Sequence, residues 1–391
     1  MNLLIEPWLP TTSGAVSIID ALENAHSLLL VGSASELITS LRILLSACYA
    51  GGETSSKLLR KGISKKTLKL LERYEDAFDL QNGYLTCPDL QGTQSSYARL
   101  VPNAPTGTNA VFQVHAREDQ PLALPENVLA QRLLQYQLFS LDFGRSPTGS
   151  RHHSPCATSA MGIAVGQTLL ETLALNLVPN DSGSQASWQL PRSKESDFNN
   201  QTRGTPKSLA ERYTWVAQAV RFIDKRVITA RGYKLSSLGD PMTTFWVNKS
   251  GELIPQKVIH ESTFVTACHL TGCDRVAAPV LADAAILDIP YKVLCFAQIN
   301  DTNSPAKLLE SLEGTYSPTI LIAEYARKIA SLIAYLHTIK LENAIRLFLS
   351  YFEDAIEQTK TIDFDQPLAY ALEDLGAKGL IDVIQKKDWW T

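Results

Sequence analysis

An α+β protein, with an irregular mixed body on the N-terminal side and a C-terminal helical bundle, is the fold that the sequence predicts. Three observations point there. Short β-rich runs near the start are punctuated by Pro and Gly, apolar residues recur at three- and four-residue spacing through the middle, and two further amphipathic faces occupy the last third. With 391 residues, 45% of them hydrophobic, the chain holds enough apolar material for two or three domains.

In chain order, "NLLIEPWLP" and "GAVSIIDAL" read as short strands around a turn at Pro10 and Gly14. Residues 33–50 carry Leu37, Leu41, Leu44 and Leu45 on one wide apolar helical face. "KKTLKLLERYEDAFDL" repeats the pattern, and residues 124–143 form a helix of about five turns with Pro125 at its mouth. "MGIAVGQTLLETLALNLVP" reads as a strand running into a helix that ends at Pro179. "WQLPRSKESDFNNQTRGTPKS" has too few apolar residues for a regular core element, whereas "SLAERYTWVAQAVRFI" puts Leu209, Tyr213, Val216 and Val220 on a helical face. Residues 245–258 alternate around Lys249, Ser250 and Gly251 as a hairpin does. Past residue 318, Ile322 to Leu336 and Ile345 to Ile356 step by three and four, the pattern of packed helices. The expected organisation is a mixed body over 1–290, a loop and linker over 291–317 and a helical bundle over 318–391.

A net charge of −4 excludes a globally basic nucleic-acid binder and leaves any such role to local patches. Six scattered cysteines, an opening "MNLLIEPWLP" unlike a signal peptide, and apolar runs too short to span a bilayer predict reduced thiols, a cytoplasmic location and no membrane partner. The polar loop around 106–120 carries a single large aromatic, Phe112, in a setting suited to contact. Residues 192–234 hold ten basic side chains against four acidic ones, among them Arg203, Lys207 and Arg212, with Tyr213, Trp215 and Tyr233 interleaved. That excess suits a phosphate-binding surface, the competing reading being a solvated face.

Enzymatic motifs fail on context. "DFG" at 142–144 lacks the Gly-rich and catalytic loops of kinases, and "RGTPKS" lacks the core of a phosphate loop. Cys268, His269 and Cys273 are the best metal candidates but have no second ligand pair; two packed thiols and a surface His compete, and neither metal nor cofactor is expected. His152 and His153, adjacent in a polar loop, read as a solvated turn or an anion contact before a catalytic base.

Several segments, in order, resemble one family. "MNLLIEPWLP", "TNAVFQVH", "RLLQYQLFSLDFGRS", "LLETLALNLVP" and "DPMTTFWVNKSGEL" are similar to the CasA large subunit of the type I-E CRISPR surveillance complex, Cascade, over roughly residues 1–260. The resemblance implies a non-enzymatic subunit that reads the protospacer-adjacent motif in double-stranded target DNA, helps open the duplex and docks a helicase-nuclease, while guide RNA and the other Cascade subunits supply the sequence match. It nominates Thr108, Asn109 and Phe112 for contact with the guide-bearing end of the complex and the motif region, an aromatic plug tucked into the core being the competing role of Phe112. It also nominates Gly144, Gly149 and Arg145 for minor-groove and phosphate contact, and Lys249 as the hairpin lysine. For Gly144 a helix C-cap is the competing role. A wedge loop is matched only to Asn300, Thr302 and Asn303, without the family's glycines and glutamine, and an Asx-rich turn competes there. The chain is shorter than the family's usual length and lacks the cysteine cluster of some members. Rival functions are a Cascade scaffold without nuclease recruitment, as in a transposon-linked variant, and a metal-dependent hydrolase built on Cys268, His269 and Cys273.

Overall fold

The computed structural model describes residues 1–101, 124–140, 145–157, 159, 161–178, 185–235, 240–243, 245–247, 253–255, 280, 284, 287, 289–299 and 307–309. Within them the protein mixes helices and strands, the α+β class expected. The expected terminal bundle lies outside the described residues.

Strands β1 (Leu9–Thr11) and β2 (Gly14–Val16) form the first hairpin, and the fully buried Trp8 before it donates its indole N–H to Leu3 O at 2.7 Å. The strand expected over "SIIDAL" is instead helix α1 (Ile18–Glu23). Ser17 Oγ accepts from Asp20 N at 3.0 Å while the Asp20 carboxylate accepts from Ser17 N, so a capping box turns a β-rich run into a helix.

Helix α2 (Ala34–Gly51) is the central element. Glu36 caps it by accepting from Ser33 N at 2.9 Å, and Gly52, at φ 77°, ends it. Its Ile38, Leu41, Ile43, Leu44 and Leu45 are buried, each contributing about 1.5–3 kcal/mol. Ser35, Thr39, Ser40, Arg42 and Ser46 are buried too, so the helix is enclosed on more than the single apolar face expected.

The helices that follow are α3 (Ser55–Lys61), α4 (Lys65–Glu72), α5 (Glu126–Phe139), α6 (Leu169–Asn176), α7 (Glu195–Asn200) and α8 (Leu209–Tyr213). α4, α5, α6 and α8 pack on α2, and α3 packs on α6. The later strands are β3 (Arg145–Ser146), β4 (Gly149–Ser150), β5 (Met161–Val165), β6 (Gln218–Ile223), β7 (Arg226–Arg231), β8 (Phe245–Val247), β9 (Leu253–Pro255), β10 (Lys292–Ile299) and β11 (Lys307–Leu309). β5 and α6 are the strand and helix read from the sequence, and β8 pairs antiparallel with β9 as the expected hairpin.

Three expectations change. The helix read across 208–223 stops at Tyr213 and the rest becomes β6, paired antiparallel with β7 from Gln218↔Arg231 to Ile223↔Arg226. The polar stretch 188–208 contains α7 and a short 3-10 turn at Ser187–Gln189, because single large anchors, Trp188 and Phe198, insert into the core. Much of the expected linker is strand: β10 is the centre of an antiparallel sheet in the order β11-β10-β5, so the body's sheet takes in residues up to Leu309.

One polar contact ties α2 to the far end of the body. Arg42 Nη1 donates to Asp240 Oδ2 at 2.7 Å with both side chains buried, Nη2 donates to Arg212 O at 3.3 Å, and the guanidinium stands 4.4 Å from the Tyr213 ring centre. Burial is the largest single influence and opposes the Arg42 charge, but Asp240, with smaller contributions from Cys156 and Tyr213, holds the guanidinium above its ordinary value. Asp240 opens the turn that leads into β8: Met242 O accepts from Gly162 N of β5 at 2.8 Å, and Thr243 bridges Met161. The pair therefore fixes the 240–243 turn, which precedes β8, between α2 and β5.

Replacing Arg42 alone should leave Asp240 buried without a counter-charge. Arg42→Met is expected to lower unfolding free energy by about 3–5 kcal/mol in urea titrations. The double variant Arg42→Met/Asp240→Leu should recover most of that loss.

Candidate nucleic-acid interface

Two hairpins interlock to form the best-built polar surface among the described residues. β6 and β7 join through Asp224 and Lys225, at φ 42° and 63°, a two-residue turn with both central residues left-handed. That geometry matches the natural twist of paired strands, and it leaves Lys225 and Arg226 exposed at the tip. β3 and β4 pair Arg145 with Ser150 and Ser146 with Gly149. This second hairpin is laced to β7: Arg231 N donates to Ser146 Oγ at 3.1 Å, Thr148 Oγ1 to Arg231 O at 2.7 Å, and Arg151 Nη2 to Thr229 O at 2.6 Å.

Glycine is needed at 149 for its backbone conformation. Its φ of +117° disfavours any side chain, and a Cβ would stand 2.8 Å from the Arg231 guanidinium carbon. Arg231 thus covers the bare Cα, and its Nη2 donates to Phe198 O at 3.3 Å. α7 closes on a left-handed Gln201 whose side chain donates to Gly232 O and accepts from Lys234 N, fixing the strand exit beside the exposed Lys234. Arg145 is exposed at the start of β3.

The basic stretch 192–234 divides by burial. Arg192, Lys194, Lys207, Lys225, Arg226 and Lys234 face solvent. Arg203 is half-buried, donating to Pro191 O at 2.9 Å and standing 5.1 Å from the Tyr233 ring centre. Arg212 is 8% exposed and belongs to the core, so it is not part of the surface patch expected. Tyr213, Trp215 and Tyr233 are also buried, and Trp215 Nε1 donates to Tyr233 O, so these rings are core and offer no stacking platform.

Helix α5 stops at Phe139 with Ser140 at its C-cap, so Gly144, four residues on, is not the residue that ends it. Gly144 itself lies outside the described residues, as do Thr108, Asn109, Phe112, Lys249, Asn300, Thr302 and Asn303, and likewise Cys268, His269 and Cys273. Cys48, Cys87 and Cys156 are buried free thiols, and burial pushes each far up from its ordinary pKa, the opposite of an activated nucleophile. His152 is also disfavoured as a cation: burial, with Arg231 and Lys234 adding to it, holds the imidazole below its usual value. No described helix is long and apolar enough to cross a membrane, and no group of three or more potential metal ligands assembles among the described residues.

A second basic surface escaped the sequence reading. Residues 57–73 hold Lys57, Arg60, Lys61, Lys65, Lys66, Lys69 and Arg73 against Glu72 alone. All seven cations are exposed. The same windowed count that singled out 192–234 finds it when applied along the whole chain.

The family described as CRISPR-associated protein Cse1 matches residues 2–263. A CRISPR-associated protein CasA/Cse1 of Thermus thermophilus is 28% identical over 299 residues, which cover 67% of this chain and 58% of that relative. The alignment thus spans just over half the relative's length. A crystal structure of a CRISPR associated protein from Thermus thermophilus superposes with a TM-score of 0.70 at 20% identity, covering 100% of this chain and 96% of the other. A chain from a structure of a CRISPR RNA-guided surveillance complex gives 0.69 at 16% identity, covering 94% and 89%. At these identities the two structures establish a shared fold.

The local geometry makes two expectations measurable. Gly149→Ala should cost about 1–3 kcal/mol, read as a lower urea midpoint, because a Cβ at φ +117° strains the backbone; an unchanged midpoint refutes that requirement. Because the folded state holds His152 below the unfolded value near 6.5, the unfolded chain binds more protons between the two values. Stability should therefore fall as pH drops below about 6.5. His152→Gln should flatten that part of the profile.

Proposed function

The chain belongs to the Cse1 (CasA) family of CRISPR-associated proteins, and from that premise we propose that it is the non-catalytic large subunit of a cytoplasmic, RNA-guided surveillance complex. In this reading it recognises the protospacer-adjacent motif in double-stranded DNA, helps to start duplex opening and docks a helicase-nuclease. Guide RNA and the other Cascade subunits are its standing partners.

The observation that carries the reading is the interlocked pair of hairpins, which holds exposed Arg145, Lys225, Arg226 and Lys234 on one hydrogen-bonded scaffold. A rigid cationic edge of this kind fits phosphate contact, which sets register without reading sequence. Arg145 supplies groove or phosphate contact beside Gly144, and Lys249 approaches from the β8–β9 hairpin. Thr108, Asn109 and Phe112 meet the motif region, Phe112 by insertion or stacking. Asn300, Thr302 and Asn303 act in the wedge. Arg203 and Lys207 add phosphate contacts, whereas the buried Arg212 does not. Gly149 serves by admitting Arg231 to the hairpin.

The test is a band-shift of guide-loaded complex, assembled with and without this chain, on duplexes with randomised bases flanking the guide match. The expected result is a flanking-base preference that appears only with the chain, weakened by Lys249→Ala. Phe112→Ala should weaken binding by roughly 5- to 150-fold if the ring stacks on a base. Equal binding with and without the chain overturns motif reading and favours the scaffold role.

A further inference from the structure

Helices α3 and α4, with Arg73 at the C-cap of α4, carry seven exposed cations, none ion-paired among the described residues, within a 17-residue span from Lys57 to Arg73. On α4 the buried side chains are Thr67 and Leu71, which face α2, while Lys65, Lys66, Lys69, Glu72 and Arg73 line a broad, open depression on the solvent side. Lys65, Lys69 and Arg73 stand four residues apart, so successive charges rise by about 6 Å along one helical stripe. A fold-stabilising role does not account for them: no described carboxylate neutralises them, and like charges at this spacing repel.

The stripe does not stand alone. Tyr74, directly after Arg73, packs its ring 5.5 Å from Trp188, and the chain from Trp188 leads to Pro191 and the exposed Arg192. Arg203 donates to Pro191 O, and Ser208, beside the exposed Lys207, donates to Gln185 O. The α4 cations and the surface members of the 192–207 stretch thus flank one segment, Gln185 to Arg192. Glu75 and Asp76 are the acidic residues that bound the stripe at its end.

We propose that the α3–α4 face is a second phosphodiester-binding surface, one that tracks the backbone of a nucleic acid without reading its bases. The proposal deepens the reading above and rests on it for the identity of the polymer. Lys and Arg heads at regular spacing, without carboxylate partners and with no exposed aromatic described between them, suit phosphate neutralisation with counterion release. Contact here lengthens the footprint of duplex beyond the motif, raising affinity for all sequences alike.

The variant for the test replaces Lys65, Lys66, Lys69 and Arg73 with Gln, a residue that keeps helix propensity while removing charge. It is assembled into guide-loaded complex, and affinity for target duplex is measured across a salt series. The slope of log affinity against log salt should become shallower by about 2–4, and affinity at about 0.1 M salt should fall about tenfold or more. Any flanking-base preference should be unchanged, and replacing the lysines with Arg should preserve the wild-type slope. An unaltered slope overturns the proposal, and so does failure of a normally folded variant to enter the complex, which would assign the face to an acidic protein partner. If the wild-type chain confers no flanking-base preference but the slope still changes, motif reading fails while the backbone surface stands.

Discussion

The ion pair between Arg42 and Asp240 is the constraint on which the described architecture depends. It joins residues 198 positions apart, from the middle of the central helix to the turn that opens the β8–β9 hairpin. A buried charge pair is weak as a source of net stability, yet each partner makes the other obligatory, since either one alone would be a desolvated charge. Around the pair, Arg42 also holds the Arg212 carbonyl and the Tyr213 ring, so α8 is located by the same side chain. Placement of α8 in turn sets where β6 begins, and β6 with β7 carries the β3–β4 hairpin.

The proposed interface follows from that chain of supports. Its cations stand on short strands whose geometry is overdetermined by backbone and hydroxyl hydrogen bonds, with Gly149 allowing Arg231 to close the seam. Rigid presentation limits the entropy that long basic side chains lose on binding. The chain as a whole is acidic, so the proposed phosphate contact rests on where the positive charges lie. α4 illustrates the same separation on a helix, with Thr67 and Leu71 inward and the cations outward.

Where the sequence reading succeeded, the signal was local and unambiguous. α2 follows from its leucine spacing, and β5–α6 from an apolar run ending at Pro179; the caps at Ser33 and Thr168 are what the structure adds. It failed where one pattern serves two structures. Val216 and Val220 are four apart, which suits a helical turn and equally one face of an extended chain; Val220 pairs with Thr229 of β7, and Val216 O, just ahead of β6, accepts from Tyr233 N. In the polar stretch after Ala186, two aromatic anchors outweigh poor composition, since burying Trp188 and Phe198 is worth more than the flanking residues lose. Of the candidate site, Arg145, Lys207 and a half-exposed Arg203 could be picked out by residue type, whereas Arg212 could not be told from them.

The sequence by itself determined the fold class, the long helix and, through the order of its motifs, the family. Those features depend on residues within a few turns of one another or on inherited order, and both survive in one dimension. Only the tertiary structure decided which cations meet solvent, why Gly149 must lack a side chain, and that Arg42 finds its counter-charge at Asp240. Burial and pairing of charge are properties of the three-dimensional neighbourhood, and an arginine carries the same label on the surface and in the core.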